Sequence, residues 1–339
     1  MARILLTHTP AMRRNYYGAR ALAGLRALGE VALHEGDAPL EGAAFARAAR
    51  GAQVIVADRN TPGPRAIFEA SPELAAFVRC AVDIRNIDVP AASERGVLVT
   101  RASAGFVPAV TELVLGFLVD LSRGVSRAAA AYHAGAVPDA GMGRQLAGAS
   151  IGIVGYGAIG RRLAEVAAAL GMRVRVSDPH VRDTAPGIER VELGALLESS
   201  DYVVCLAIAS AETENLMNEE AFARMKRGAY FVNVSRGNLV DEAALARALD
   251  RGHLAGAALD VGRAPDQMPT PALGARADVV ATPHLGGLTP QAIEHQALET
   301  VSQVAEIVKG RAPKGAVNAE HATRLAKLGP SPKGEGEQT

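Results

Sequence analysis

The sequence predicts an α/β protein of two domains built on parallel sheets, the second a doubly wound Rossmann sheet. Three observations carry that reading. The chain has 339 residues, more than one hydrophobic core usually serves. Short apolar runs alternate, in two separate series, with Ala-rich helical stretches, as βαβ units covered on both faces do. A glycine fingerprint, Gly155, Gly157 and Gly160, falls between a strand and a helix of the second series.

In the first series "RILLT" (3–7), "QVIVA" (53–57), "FVRCAV" (77–82) and "VLVT" (97–100) read as buried strands. Helical pieces near 18–28, 41–50 and 64–70 separate them. From Thr111 a long apolar helical stretch, "TELVLGFLVDLSRGVSRAAAAYH", runs into the Gly-rich connector "HAGAVPDAGMGRQLAG". The second series then supplies six strand candidates: "ASIGIVG", "RVRVS", "YVVCLAI", "AYFVNVS", "AGAALDV" and "DVVAT". A last helix over 289–310 opens on Thr-Pro, a helix-start signal. The tail "KLGPSPKGEGEQT" holds Pro, Gly and charge with nothing to bury, and is expected to be flexible.

Composition limits the partners. There are 36 Lys and Arg against 36 Asp and Glu, a net charge of zero. That argues against nucleic acid or an anionic membrane surface. No apolar run is long enough to span a bilayer. "MARILLTHTP" reads as a first strand rather than a signal peptide. Cys80 and Cys205 are isolated from each other and beside apolar residues, so neither a disulfide framework nor a metal site is expected. A soluble cytoplasmic protein without metal is the expectation.

The stretch "IGIVGYGAIGRRLAEVAAALGMRVRVSDPH" carries the first specific chemistry. Gly155 permits the tight turn, Gly157 lets a pyrophosphate approach the backbone, and Gly160 lets helix pack on strand. The pyrophosphate would sit on the unpaired N–H groups at the helix start. A second strand runs into Asp178, eighteen residues beyond Gly160, placed to accept from the adenosine ribose hydroxyls. An acid there repels a 2′-phosphate and favours NAD over NADP, with Arg175 and Arg182 close by in sequence. Tyr156, Ala158, Ile159 and Pro179 complete this part of the cofactor strip.

These stretches, with "MKRGAYFVNVSRGNLVDEAALARAL", "AGAALDV" and "ATPHLGGLT", resemble the D-isomer-specific 2-hydroxyacid dehydrogenases from about residue 50 to about 320. The resemblance implies that the Rossmann domain is inserted into a flavodoxin-like substrate domain of similar topology. The expected boundaries are 1–103 for the first part of the substrate domain, 104–288 for the NAD-binding domain, 289–322 for the return and 323–339 for a flexible tail. Long helices near 104–123 and 289–309 would be hinges. A homodimer is implied, made through the Rossmann domains with segment 124–146 reaching across.

The reacting residues follow. In "NVSRGNLVDE" Arg236 stands just past a strand, where it would either fork a 2-oxo acid or pair with an acid such as Asp241; the resemblance favours the fork. His284 in "ATPHLGG" also stands at a strand end. By the resemblance it gives a proton to the substrate carbonyl as hydride arrives and takes it back in oxidation. The family partner of that histidine is a Glu five residues after the Asp of "LDV", followed by Pro. Here the text is "LDVGRAPDQMP", so Pro265 occupies the position and Asp266 is the candidate partner. Asp260 is expected to hold the nicotinamide carboxamide.

"RCAVDIRNIDVPAASERGV" matches the family's carboxylate-binding loop, with Ala81 and Asp83 in place of glycines and Arg85 in place of Asp. Backbone N–H groups of Ala81, Val82 and Asp83 would hold the substrate carboxylate, and Asp83 brings a negative charge unless Arg79 or Arg85 pairs with it. Arg59 in "ADRNTPG" is either a second anion or hydroxyl contact or a surface residue. In "CLAIASAET" Ala207 and Ala209 replace a His and a Pro common in the family, and Thr213 either reaches the cofactor or starts a helix. Val234, Ser235 and Gly286 are further expected cofactor contacts, with Arg236, Asp260 and His284. The expected function is NAD-dependent interconversion of a small 2-oxo acid and a D-2-hydroxy acid, of glyoxylate, hydroxypyruvate or sugar-acid type. A phosphoglycerate-type dehydrogenase, with no appended regulatory domain found, and a dinucleotide-sensing binding protein are the alternatives.

Overall fold

The computed structural model describes residues 1–329. These divide into two compact units, Met1–Gly105 with the described chain from Pro290 on, and Phe106–Thr289. The first holds β1 (Ala2–Leu6), β2 (Gly29–Leu33), β3 (Val54–Ala57), β4 (Ala76–Arg79) and β5 (Leu98–Arg101). They pair in parallel in the order β2-β1-β3-β4-β5, the flavodoxin-like order. Strand periodicity sorts the core into two layers. Leu6, Val54, Val56 and Val78 face Tyr17, Leu25, Val304 and Ile307. Leu5, Ile55, Phe77 and Val99 face Phe45 and Phe68 on the other side. The late helix Pro290–Ile307 thus closes a sheet begun at residue 2, and Tyr17 OH meets Thr300 Oγ1 at 2.8 Å.

The second unit holds β6 (Ser150–Val154), β7 (Arg173–Ser177), β8 (Ile188–Arg190), β9 (Tyr202–Cys205), β10 (Tyr230–Asn233), β11 (Gly256–Leu259) and β12 (Val279–Ala281). All pairs are parallel, in the order β12-β11-β10-β9-β6-β7-β8. The order reverses between β6 and β9, which opens a crevice at the carboxyl ends of those strands. Val203, Cys205, Phe231 and Leu259 fill one core layer. Ile151, Ile153, Val204 and Val232 fill the other with Val114, Phe117 and Leu118 of the helix Val107–Arg123.

Two strands were not anticipated. β2 is an edge strand with only Gly29 buried and a charge at Glu30, and β8 is a three-residue edge whose last two residues are exposed Glu189 and Arg190. Neither presents the continuous apolar run that marks a central parallel strand. The tail expected from residue 323 is corrected at its start. Thr323–Lys327 form a 3₁₀ turn with Leu325 buried, and Arg324 donates to the carbonyls of Ser71 and Leu74 at 2.9 and 3.0 Å. The remainder of that tail, 330–339, lies outside the described residues. Both cysteines are buried and free, and among the described residues no helix is long and apolar enough to cross a membrane.

Candidate active site

The second unit gathers its loops at the carboxyl edge of its sheet. The turn after β6 is the glycine fingerprint. Gly155 has φ +99°, and a Cβ there would stand 2.7 Å from the Ala207 nitrogen. The close approach of the loop after β9 therefore requires glycine twice over, by conformation and by space. Gly157 differs: a Cβ there meets nothing within 4 Å. It is the N-cap of the helix Ala158–Ala169 and supplies no side-chain acceptor, so the first helical N–H groups keep the orphan donors of a helix start. A helix start of this kind can cradle an anion such as a pyrophosphate. Ala158 is exposed and Ile159 half-buried in that first turn.

Asp178, just past β7, receives the Tyr156 N–H on Oδ2 at 2.8 Å and the His180 N–H on Oδ1 at 2.9 Å. Each oxygen keeps a lone pair for a ribose hydroxyl. The Tyr156 ring is buried beneath the Arg161 guanidinium, 4.6 Å from its centroid, and Pro179 is exposed beside the acid. Arg175 is held by Glu189 at 2.9 Å. After β9, Thr213 Oγ1 donates to the Ile208 carbonyl at 2.7 Å and accepts the Ser210 N–H at 2.8 Å. The threonine clasps its own loop, and the next helix begins only at Glu219. Ala207 and Ala209 are half-buried, while Ile208 between them is 85% exposed.

Arg236 follows β10. Asn233 shapes its turn: Nδ2 donates to the Arg236 carbonyl at 3.0 Å and Oδ1 accepts the Ser235 N–H at 3.1 Å. Ser235 Oγ donates to the Ala207 carbonyl at 2.6 Å, and Val234 is buried. The Arg236 guanidinium donates to the Ser235 carbonyl at 2.7 Å and is half-buried. Asp241 caps the next helix through the Ala244 N–H at 3.0 Å. Asn233, which the sequence did not single out, is thus a positioning residue of this turn.

His284 follows β12 with φ +56°, a left-handed conformation rare outside glycine. Asp260 imposes it. This buried acid accepts Thr282 Oγ1 at 2.6 Å, the Leu285 N–H at 2.7 Å and the Gly286 N–H at 2.8 Å, while its carbonyl accepts the His284 N–H at 3.0 Å. A Cβ at residue 286 would stand 2.9 Å from Asp260 Oδ2. Asp260 therefore builds the loop, in addition to the carboxamide contact expected of it.

The partner of His284 needs a correction. It is residue 266, but through the main chain: Nδ1 lies 3.0 Å from the Asp266 carbonyl oxygen. Pro265 opens a 3₁₀ turn in which Asp266 and Gln267 take φ of +57° and +59°. That geometry turns the carbonyl to the ring and leaves the Asp266 side chain exposed. A carbonyl only accepts, so this bond requires Nδ1 to carry the proton and leaves Nε2 of the neutral ring without one.

The first unit places its expected residues after β3 and β4. Asp83 pairs with Arg85, whose Nε lies 3.0 Å from Oδ1 and Nη2 2.6 Å from Oδ2. Arg79 is fully buried and donates to the carbonyls of Asp58 and Thr61 and to Asn86 Oδ1. Ala81 and Val82 are intermediate between the two extremes, Ala81 half-buried like Val82, and Arg59 is exposed. Nearby Thr7, His8, Asp58 and Thr61 are buried. Burial pushes the Asp58 carboxyl up, but bonds from Thr61 and Thr7 outweigh it and hold it below the ordinary carboxylate range.

Comparison with known proteins gives the family. Residues 115–286 match the family described as "D-isomer specific 2-hydroxyacid dehydrogenase, NAD binding domain". The chain belongs to that family. It is 37% identical over 267 residues to (S)-sulfolactate dehydrogenase of Chromohalobacter salexigens, covering 77% of this chain and 86% of that one. It is 31% identical over 256 residues to hydroxypyruvate reductase of Thermotoga maritima, covering 74% and 83%. To D-3-phosphoglycerate dehydrogenase 3 of Arabidopsis thaliana it is 34% identical over 270 residues, covering 78% of this chain and 46% of that protein. The chain thus spans less than half the length of that plant relative. Among solved structures, the TT0316 protein of Thermus thermophilus superposes with a TM-score of 0.82 at 32% identity, covering 93% and 99%.

Proposed function

We propose that this protein interconverts a small 2-oxo acid and a D-2-hydroxy acid with NAD. The observation that carries the reading is the convergence of two turns on one loop. His284 Nδ1 is bonded to the Asp266 carbonyl, and the N–H of Gly237, next to Arg236, points at Gln267 Oε1 at 3.3 Å. An acid–base imidazole and a carboxylate-binding guanidinium are therefore braced by neighbouring residues, at the sheet edge that also carries the cofactor fingerprint.

Bound NADH supplies the hydride, and the chain's residues do the rest. The helix start at Ala158 and the open face of Gly157 would hold its pyrophosphate, and Asp178 its ribose. Arg236 binds the substrate carboxylate and polarises its carbonyl. His284 Nε2 holds the proton that passes to the carbonyl oxygen, while Nδ1–H stays on the Asp266 carbonyl. Asp178 supports NAD over NADP, since it repels a 2′-phosphate and Arg175 is engaged with Glu189. Glyoxylate and hydroxypyruvate lead the substrate choices. The names of the relatives add sulfo- and phospho-substituted acids to the panel to be tried. A homodimer is part of the proposal, supported by exposed Val125, Tyr132, Val137 and Met142 within 124–146.

The test is NADH oxidation against 2-oxo acids of increasing polarity, with NADPH in parallel. His284→Asn is expected to lower kcat by about 10²-fold or more with NADH affinity retained by fluorescence titration. Full turnover in that variant removes His284 from the mechanism. NADH binding without turnover of any acid, coupled to capture of a partner protein, favours a sensor.

A further inference from the structure

We infer that Gln267 is a positioning residue that locks the orientation of His284 to that of Arg236, with the main-chain carbonyl of Asp266, and not its carboxylate, as the acceptor that fixes the imidazole. The inference deepens the reading above and rests on it for its kinetic arm alone.

The loop between β11 and the next helix is closed at three points. Gly262 N–H donates to the Gln267 carbonyl at 2.8 Å, Ala264 N–H donates to the Met268 carbonyl at 3.0 Å, and Gly237 N–H donates to Gln267 Oε1 at 3.3 Å. The first two fold the loop on itself. The third reaches out of it, to the residue after Arg236. Two consecutive left-handed residues, Asp266 and Gln267, are costly for side chains bearing a Cβ. They persist because these bonds over-determine the turn. The product of that conformation is the 266 carbonyl aimed at His284 Nδ1.

A carboxylate partner would add a full negative charge beside the ring, and a carbonyl adds only a dipole. Orientation must therefore do more of the work, and orientation here depends on where Gln267 is pinned. Its side-chain oxygen ties the loop to the Arg236 turn, so losing it loosens the imidazole acceptor and the guanidinium turn together. The exposed Asp266 side chain is outside this chain of contacts.

The test uses ¹⁵N-resolved NMR of the histidine side chains and steady-state kinetics on the full chain, in Gln267→Ala, Gln267→Glu and Asp266→Asn. At a pH where the ring is neutral, the Nδ1–H tautomer of His284 is expected to dominate in the parent and in Asp266→Asn. It is expected to give way to a tautomer mixture in Gln267→Ala. In the kinetic arm Gln267→Ala loses about tenfold or more in kcat, the scale of a sub-ångström to ångström misplacement, with NADH affinity unchanged. Gln267→Glu, which keeps an acceptor oxygen, recovers most of the loss. A dominant Nε2–H tautomer in the parent, or loss of the Nδ1–H form in Asp266→Asn, overturns the inference. So does a parental tautomer and kcat in Gln267→Ala. If the parent turns over no 2-oxo acid, the functional reading fails while the tautomer measurements still decide the positioning role.

Discussion

At the scale of single residues, buried titratable groups set the pH behaviour. His8 is 2% exposed, and burial pushes its imidazole down to about 4; the Asp58 carboxylate opposes this, while Arg13 and Arg79 add to it. In the unfolded chain the ring titrates near 6.5. Between those values the unfolded state binds the extra proton, so stability falls as pH drops from 6.5 toward 4 and is fully present above 6.5. The shift corresponds to about 3 kcal/mol. Urea unfolding of the parent and His8→Gln at neutral pH and midway between the two values checks this. The parent is expected to lose more stability than the variant, and equal losses would contradict the burial of a neutral ring. Arg236 gives the matching prediction for catalysis. Arg236→Lys keeps the charge and loses the planar fork, so kcat/KM for the 2-oxo acid should fall about 10²-fold while NADH binding holds.

At the scale of elements, the glycine turn separates two functions that the sequence pattern runs together. Gly155→Ala meets the backbone of 206–207 and a disfavoured φ, so a lower melting temperature is expected. Gly157→Ala meets open space at φ −73°. It should melt like the parent yet bind NADH at least about tenfold more weakly, because the new methyl occupies the pyrophosphate's approach. Equal NADH affinity would remove residue 157 from the cofactor cradle. The loop 81–85 makes a similar case. The Asp83–Arg85 pair is exposed on the arginine side, 70% accessible, so it adds little to stability. Its effect is on local charge. On the reading that this loop holds the substrate carboxylate, as the resemblance implies, Arg85→Ala should raise KM for the 2-oxo acid by about several-fold through the Asp83 charge it leaves behind, at parental melting temperature. Asp83→Gly in the same chain should restore it. These loops also mark the boundary of what pattern reading reaches. The central strands and the fingerprint were legible because continuous apolar runs and glycine spacing are local signals. β2 and β8 were not, since edge strands share their exposed face with loops. The 262–268 turn was legible only as a departure from family spacing. That the 266 carbonyl, and not its carboxylate, meets His284 Nδ1 depends on two left-handed residues that no periodicity encodes.

At the scale of the whole molecule, the chain builds two sheets from a discontinuous plan. The helix Pro290–Ile307 seals the sheet that starts at residue 2, and the unit between them carries the cofactor fingerprint, Arg236 and His284. This is why Arg236 and His284, 48 positions apart in sequence, read as one site only when the resemblance supplies the topology. The proposed dimer belongs to this scale. Sedimentation equilibrium of Val137→Asp with Met142→Glu should show a monomer where the parent is a dimer, and a monomeric parent would withdraw the proposal.

The central claim is that Arg236 and His284 serve one reacting carbonyl. A double-mutant cycle on kcat/KM with Arg236→Lys and His284→Asn tests it most directly. Groups acting as a unit are expected to be strongly non-additive, with the double variant losing far less than the product of the two single losses. A double variant whose loss equals that product, or a single variant with parental kcat/KM, would contradict the account.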